Sequence, residues 1–297
     1  MNILDLFRSF QTQEQALEHL EAVRWKGRPI CPYCDSVSVG RHASGDRANQ
    51  RWQCRSCGRA FAVTVGTIFH GTHIPLTKWF LVLALMLNAK KSASAYQIAR
   101  DLGLRRPTVW SMMHRLRAAM EADTQESRLL HGIVEADETY VGGKPRKGNR
   151  RDDDKPNKRG RGTKKVPVIG VVERGGRVVA KVAAAADMSA KGLAKFISKH
   201  VDKAASMLMV DEYAGYNVIS RAMRSARINH SVEYANGMVH TNTIEGVWSL
   251  VKRAWYGQHH HYSRKYMPLY IAEACFKYNA RSDKDAFGGA LSLMVRA

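Results

Sequence analysis

Negative charge is scarce in this chain. Its 297 residues hold 26 Asp and Glu against 47 Lys and Arg, a net charge of +21. An imbalance of that size points to a polyanionic partner, either nucleic acid or an anionic membrane surface. Long apolar runs are also missing. The longest, Trp79 to Leu87, has nine residues, about half of what a membrane span needs. The N-terminus MNILDLFRSFQTQEQALEHL contains no signal-peptide core. Together these absences predict a cytoplasmic, nucleoid-associated protein whose partner is nucleic acid and not a membrane. Cysteine is sparse and odd in number, five in all, which excludes a disulfide framework.

Four of those cysteines fall as Cys31-x-x-Cys34 and Cys54-x-x-Cys57, with nineteen residues between the pairs. Each pair presents two thiolates from one tight knuckle, and two knuckles complete a tetrahedral Zn²⁺ site. Four thiolates leave no open coordination position, so the expected zinc is structural. Gly58 follows the second pair as a turn residue. Cys275, in an apolar helical stretch, reads as a core residue.

The chain divides into segments of different period. Residues 1–28 read as helical and residues 29–74 as the zinc ribbon, with strands at Arg51–Gln53 and Ala60–Val63. Residues 75–125 read as helices. Within them SAYQIARDLGLRRPTVWSMMHRLRAAM spaces Ala99, Gly103 and Val109 as a helix contact, a turn glycine and a core residue. That is a helix-turn-helix pattern, with its second helix starting near Pro107 and available to a DNA groove. Arg105, Arg106, Thr108, Ser111 and Arg115 are its candidate DNA contacts. The alternative is a helical hairpin with a solvated basic face.

From residue 130 to 290 the pattern is that of an α/β domain: a mixed sheet flanked by helices. Strands are expected at His131–Val141, Val166–Glu173, Arg177–Ala186 and Met207–Asp211, with a helix at Ser189–His200. Gly175-Gly176 marks a hairpin turn. Between the first two strands, residues 144–165 carry eleven Lys and Arg, three Asp and no apolar residue besides proline. This insertion cannot bury a core and reads as a phosphate-binding loop. Its Asp152, Asp153 and Asp154 are set aside as metal ligands, because such a loop holds no rigid geometry.

Three separated carboxylates remain: Asp137 within the first strand, Asp211 at the end of another, and Glu245 on an amphipathic helix. Ile244, Val247, Trp248, Val251 and Trp255 form that helix's apolar stripe. Carboxylates raised on rigid elements from distant places build a site for hard divalent cations. Lys252 lies two turns beyond Glu245, about 10 Å along the axis, and suits a neighbouring phosphate. Glu135 shares a pleat face with Asp137 while Glu138 points the other way. Asn242 is either a helix cap or a rival to Glu245.

CPYC…WQCRSCGRAFAVTVGTIF, VEADETYVGGK, VDEYAGY, HTNTIEGVWSLVKR and YIAEACFKYNAR together resemble the bacterial DDE insertion-sequence transposases, in the ISXO-like branch with an N-terminal zinc ribbon. The resemblance spans nearly the whole chain. Thirty-three residues separate Asp211 from Glu245, close to the family's interval. It implies an RNase-H-like catalytic domain in which Asp137, Asp211 and Glu245 hold two Mg²⁺, with Mn²⁺ as a substitute, for DNA cleavage and strand transfer. It implies further that the ribbon and helix-turn-helix recognise terminal inverted repeats of double-stranded DNA, and that a homodimer or larger assembly brings element ends and target DNA together. The competing readings are an RNase-H-like nuclease or resolvase, and a catalytically inactive DNA-binding regulator.

Overall fold

A computed structural model describes residues 2–42, 51–125, 128–143, 165–228 and 237–296. The basic insertion, including Asp152–Asp154, lies outside them except for Lys165. The chain forms two compact units. One comprises residues 1–123 with 280–297, the other residues 124–279.

The first unit opens with α1 (Ile3–Ser9) and α2 (Gln13–Trp25). Thr12 and Gln15 start α2 with a reciprocal capping box: the Gln15 N–H donates to Thr12 Oγ1 at 3.3 Å and the Thr12 N–H to Gln15 Oε1 at 3.1 Å. A three-stranded antiparallel sheet follows in the order β1 (Val39–Arg41), β2 (Arg51–Cys54), β3 (Ala60–Ala62). Helices α3 (Leu76–Asn88), α4 (Ala95–Leu102) and α5 (Arg106–Gln125) come next. α10 (Ala286–Met294) also belongs to this unit and packs against α2 and α3. Its Phe287 ring lies 5.7 Å from Phe80 and 6.3 Å from Phe10. The second compact unit ends at residue 279.

The second unit is a five-stranded sheet in the order β6 (Val178–Val182), β5 (Val166–Glu173), β4 (Leu130–Val141), β7 (Val201–Val210), β8 (Ser225–Arg227). β5 runs antiparallel to both neighbours, whereas β4, β7 and β8 run parallel. This is an RNase-H-like mixed sheet. Alternation along its strands feeds two cores. Val134, Ala136, Ile169 and Val171 face α6 (Ala190–His200) and the short α7 (Asn217–Ser220). Val141, Val166, Val168 and Val172 face α8 (Asn242–Arg253) and α9 (Met267–Asn279). Asn279 closes the β6 edge by imitating a strand: its side chain accepts from Val178 N at 2.7 Å and donates to Val178 O at 3.1 Å. β7 starts at Val201, six residues before the apolar run that announced it. Its first half, V-D-K-A-A-S, lacks β-branched alternation, and pairing with β4 across a register shift holds it extended.

His200 ends α6 and is buried against Phe196, with ring centroids 4.9 Å apart. Burial, then the charges of Lys199 and Lys181, lowers its pKa to about 4. The unfolded chain therefore takes up this proton first as pH falls. The stability present above the ordinary histidine value is lost as pH drops from about 6.5 towards 4. Denaturant midpoints measured at pH 7 and pH 4.5 should differ less for His200→Gln than for the unsubstituted protein.

Candidate active site and metal centre

In the ribbon, the four Sγ atoms of Cys31, Cys34, Cys54 and Cys57 all lie within 4.8 Å of one another. Cys31 and Cys57 are 3.8 Å apart, Cys34 and Cys54 3.6 Å. A tetrahedron of ~2.3 Å metal–sulfur bonds has edges of about 3.8 Å, so the set fits Zn²⁺. The knuckles are alike. Asp35 N donates to Cys31 O and Gly58 N to Cys54 O, both at 3.0 Å, and both fourth residues take positive φ, 55° and 72°. The glycine accepts that conformation freely and Asp tolerates it. α2 is fastened to the ribbon through Glu21, whose carboxylate accepts from Arg41 Nη1 and Nη2 at 3.0 and 2.7 Å and from Trp52 Nε1 at 2.8 Å.

α4 ends at Gly103 in the left-handed conformation, φ 61°, and α5 begins at Arg106. Ala99 and Val109 are buried between them and their neighbours. Arg105, Arg106 and Ser111 are exposed and Thr108 is half-buried. Arg115 differs from the others. Its Nη2 donates to His70 O at 3.0 Å and its guanidinium lies 5.3 Å from the Trp79 ring centroid, so it is engaged within its own unit.

Asp137, Glu138 and Asp211 lie near one another on the two inner strands β4 and β7 of the second unit's sheet or just past them. β4 and β7 run parallel with Glu135 opposite Met209. Asp137 lies two residues beyond Glu135 on β4 and Asp211 just past the end of β7, near enough for its charge to act on Asp137. Asp211 Oδ1 accepts the N–H of Tyr213 at 3.0 Å, which turns the chain at the strand end. Asp137 is largely buried. Desolvation, then the negative charges of Glu138 and Asp211, raises its pKa to about 7, against the opposing hydrogen bonds it accepts. One of these comes from Trp248 Nε1 to Asp137 Oδ2 at 3.0 Å. A crowded pair of acids in a desolvated setting favours binding a cation or retaining a proton.

Strand alternation does put Glu138 on the opposite face, where Tyr216 Oη donates to its Oε2 at 2.7 Å. Its charge nevertheless acts on Asp137, so Glu138 belongs to the electrostatics of the site. Tyr216 is fully buried and its hydroxyl pKa is raised, by burial first and then by Glu138, Asp137 and Asp211.

Glu245 occupies the first turn of α8 and is exposed, with its Oε1 accepting from Thr241 Oγ1 at 3.1 Å. Lys252 is also exposed, near the helix's other end. Trp248 connects this helix to Asp137. Its indole lies over Gly170, the β5 residue paired with Asp137, so closely that a Cβ there would come within 2.6 Å of Trp248 Cη2. Sequence reading treated Trp248 as one member of an apolar stripe and missed its N–H as a ligand to the acid. For Asn242 the sequence allows either a cap of α8 or a rival to Glu245. The cap position belongs to Thr241, which makes no side-chain capping bond, and Asn242 is exposed at the first helical position. The three carboxylates form a wider arrangement than the thiolates: among the described residues, the compact metal-ligand cluster is the cysteine set.

A four-thiolate ribbon, a helix-turn-helix arrangement and a mixed sheet with Asp137 on β4 and Asp211 just past the end of β7 fit the class of proteins that act on nucleic-acid phosphodiesters. Comparison with known proteins narrows the class. The profile of the ISXO2-like transposase domain matches residues 129–279, and that of the transposase zinc-ribbon domain matches residues 11–60. An uncharacterized protein in transposable element ISH50 of Halobacterium salinarum is 30% identical over 278 residues, covering 89% of this chain and 90% of its own. The chain belongs to the ISXO2-like transposase family. It is a transposase with a structural Zn²⁺ ribbon and a divalent-metal catalytic domain. Similar solved structures include a pre-cleavage Mos1 transpososome (11% identity, 72% of this chain and 74% of that one, TM-score 0.31) and the Mos1 strand transfer complex (13%, 73% and 74%, 0.31). At that distance no residue role is transferred from them.

Two outcomes are expected. Metal analysis should find one zinc per chain, and Cys54→Ser should lose it together with protease resistance of residues 29–74. Gly170→Ala should destabilise the second unit by about 1–3 kcal/mol, the usual cost of overpacking. Adding Trp248→Phe should recover part of that loss in a double-mutant cycle read by chemical denaturation.

Proposed function

We propose that this transposase cuts and joins DNA at the site built by Asp137, Asp211 and Glu245, with two Mg²⁺ as the working ions and Mn²⁺ as a substitute. The observation that carries the reading is the proximity of Asp137 on β4 to Asp211 just past the end of the parallel strand β7, with Asp137 raised to about 7 by burial and by acidic neighbours. Two acids crowded in a desolvated setting suit divalent ions, which would supply positive charge, activation of the attacking oxygen and neutralisation at the leaving oxygen.

The chain's own residues have separate tasks in this reading. Trp248 holds Oδ2 of Asp137 and so orients the carboxylate. The Thr241 hydroxyl holds Glu245. Lys252, on the same helix, contacts the phosphate beside the scissile bond. Arg105, Arg106, Thr108, Ser111 and Arg115, just before and along the second helix of the helix-turn-helix, face DNA, and with the ribbon they recognise the element's inverted repeats. The two ends must be held together for transfer, which calls for a homodimer or larger assembly on DNA. Domain limits of 29–74 for the ribbon, 75–125 for the helix-turn-helix and 130–290 for the catalytic domain suit this division of labour.

The test is an in vitro assay with DNA carrying the element ends and Mg²⁺. Asp137→Ala, Asp211→Ala and Glu245→Ala should each lose roughly a hundredfold or more in cleavage and joining while retaining end binding in a mobility-shift measurement. Cleavage without joining would mark the protein as a nuclease, and full joining by all three variants would overturn the assignment of the site.

A further inference from the structure

We propose that Glu135 is a positioning residue for Glu245: a carboxylate buried in β4 that caps α8 from outside the helix and is held in place by Arg174. The inference rests on the reading of Glu245 as a site carboxylate.

The first turn of α8 has one local side-chain acceptor, His240 Nδ1, which takes the Asn242 N–H at 3.4 Å. Thr241, at the cap position, turns its hydroxyl to Glu245. An N–H in that turn therefore needs another acceptor, and Glu135 supplies it. Glu135 Oε2 accepts from Ile244 N at 2.9 Å and Oε1 from Thr243 Oγ1 at 2.8 Å. The carboxylate is completely buried. A negative charge so placed is also favoured by the helix dipole.

Arg174 makes the buried charge tolerable. It lies in the turn after β5, where its backbone N–H is fastened to Ile133 O of β4 at 2.9 Å. Its Nε donates to Glu135 Oε1 at 2.6 Å, and its remaining donors hold Met238 O at 2.8 Å and His240 O and Nδ1 at 2.9 Å each. One guanidinium thus ties β4 to the chain entering α8. Both Glu135 oxygens are engaged by protein donors, which separates this acid from Asp137 two positions on, although the two share a pleat face.

β4 consequently places two members of the site. It carries Asp137 directly, and about 7 Å back along the strand it sets the start of the helix that carries Glu245. The spacing of the carboxylates is copied from a strand and does not depend on the loop before α8.

Glu135→Gln keeps the shape but sets an NH₂ against donors from Arg174 or from the helix. Hydrogen–deuterium exchange at the first turn of α8 should accelerate about tenfold or more, with the second half of the helix unchanged. Mg²⁺-dependent end cleavage should require several-fold more metal at half-saturation. Arg174→Gln should reproduce both effects, and Arg174→Lys should be intermediate. Arg174→Gln also decides the matter should Glu135→Gln fail to fold. Unchanged exchange at that turn in the folded variants, or an unchanged metal requirement, overturns the proposal. If Asp137→Ala cleaves like the unsubstituted protein, the reading of the acidic site fails instead, and exchange still reports on Glu135.

Discussion

The seating of α8 on β4 is the contact on which the rest of the site depends. Ile244, Val247, Trp248 and Val251 press against the sheet, but apolar burial is non-directional and would tolerate a shift or rotation of the helix. Directional bonds to two buried carboxylates remove that freedom. Glu135 receives the start of the helix, and Asp137 receives the indole N–H one turn beyond Glu245. Any other seating would leave a buried charge without its partners, which is among the costlier errors available to a protein interior. Gly170 permits the arrangement by leaving the indole room to lie flat on β5.

The distribution of charge follows a related logic. A chain with few acids places Glu138 and Asp211 close enough to Asp137 to raise its affinity for a proton. Glu135, two residues away, has an arginine for company and does not need a cation. Neighbouring glutamates and aspartates on one strand thus take opposite parts, one neutralised within the protein and one left in want of positive charge. The excess of Lys and Arg elsewhere suits a polyanionic substrate.

Much of this was legible in the sequence. Cysteine spacing announced the ribbon, because two short knuckles and a tetrahedral ion impose local rules. The strands β4 and β5 and the helix α8 emerged from periodicity, since each has one or two faces buried in a regular way. Other features were not legible. The early start of β7 depends on its partner strand, and the capping of α8 on a residue more than a hundred positions earlier. Tyr216, Arg174 and Trp248 carried no local mark of their roles. Tyr and Trp look like core residues, and an arginine in a turn looks solvated.

By itself, the sequence determined the kinds of groups available and the elements that carry them: four thiolates at knuckle spacing, acids near strand ends and on a helix, and a surplus of positive charge. These follow from short-range rules of backbone geometry and side-chain period. Only the tertiary structure decided which acids lie near one another, which is neutralised, and which indole or hydroxyl holds each one. Those outcomes are set by the register between β4 and β7 and by the seating of α8. Both are contacts between distant segments, fixed by the requirement that buried polar groups find partners.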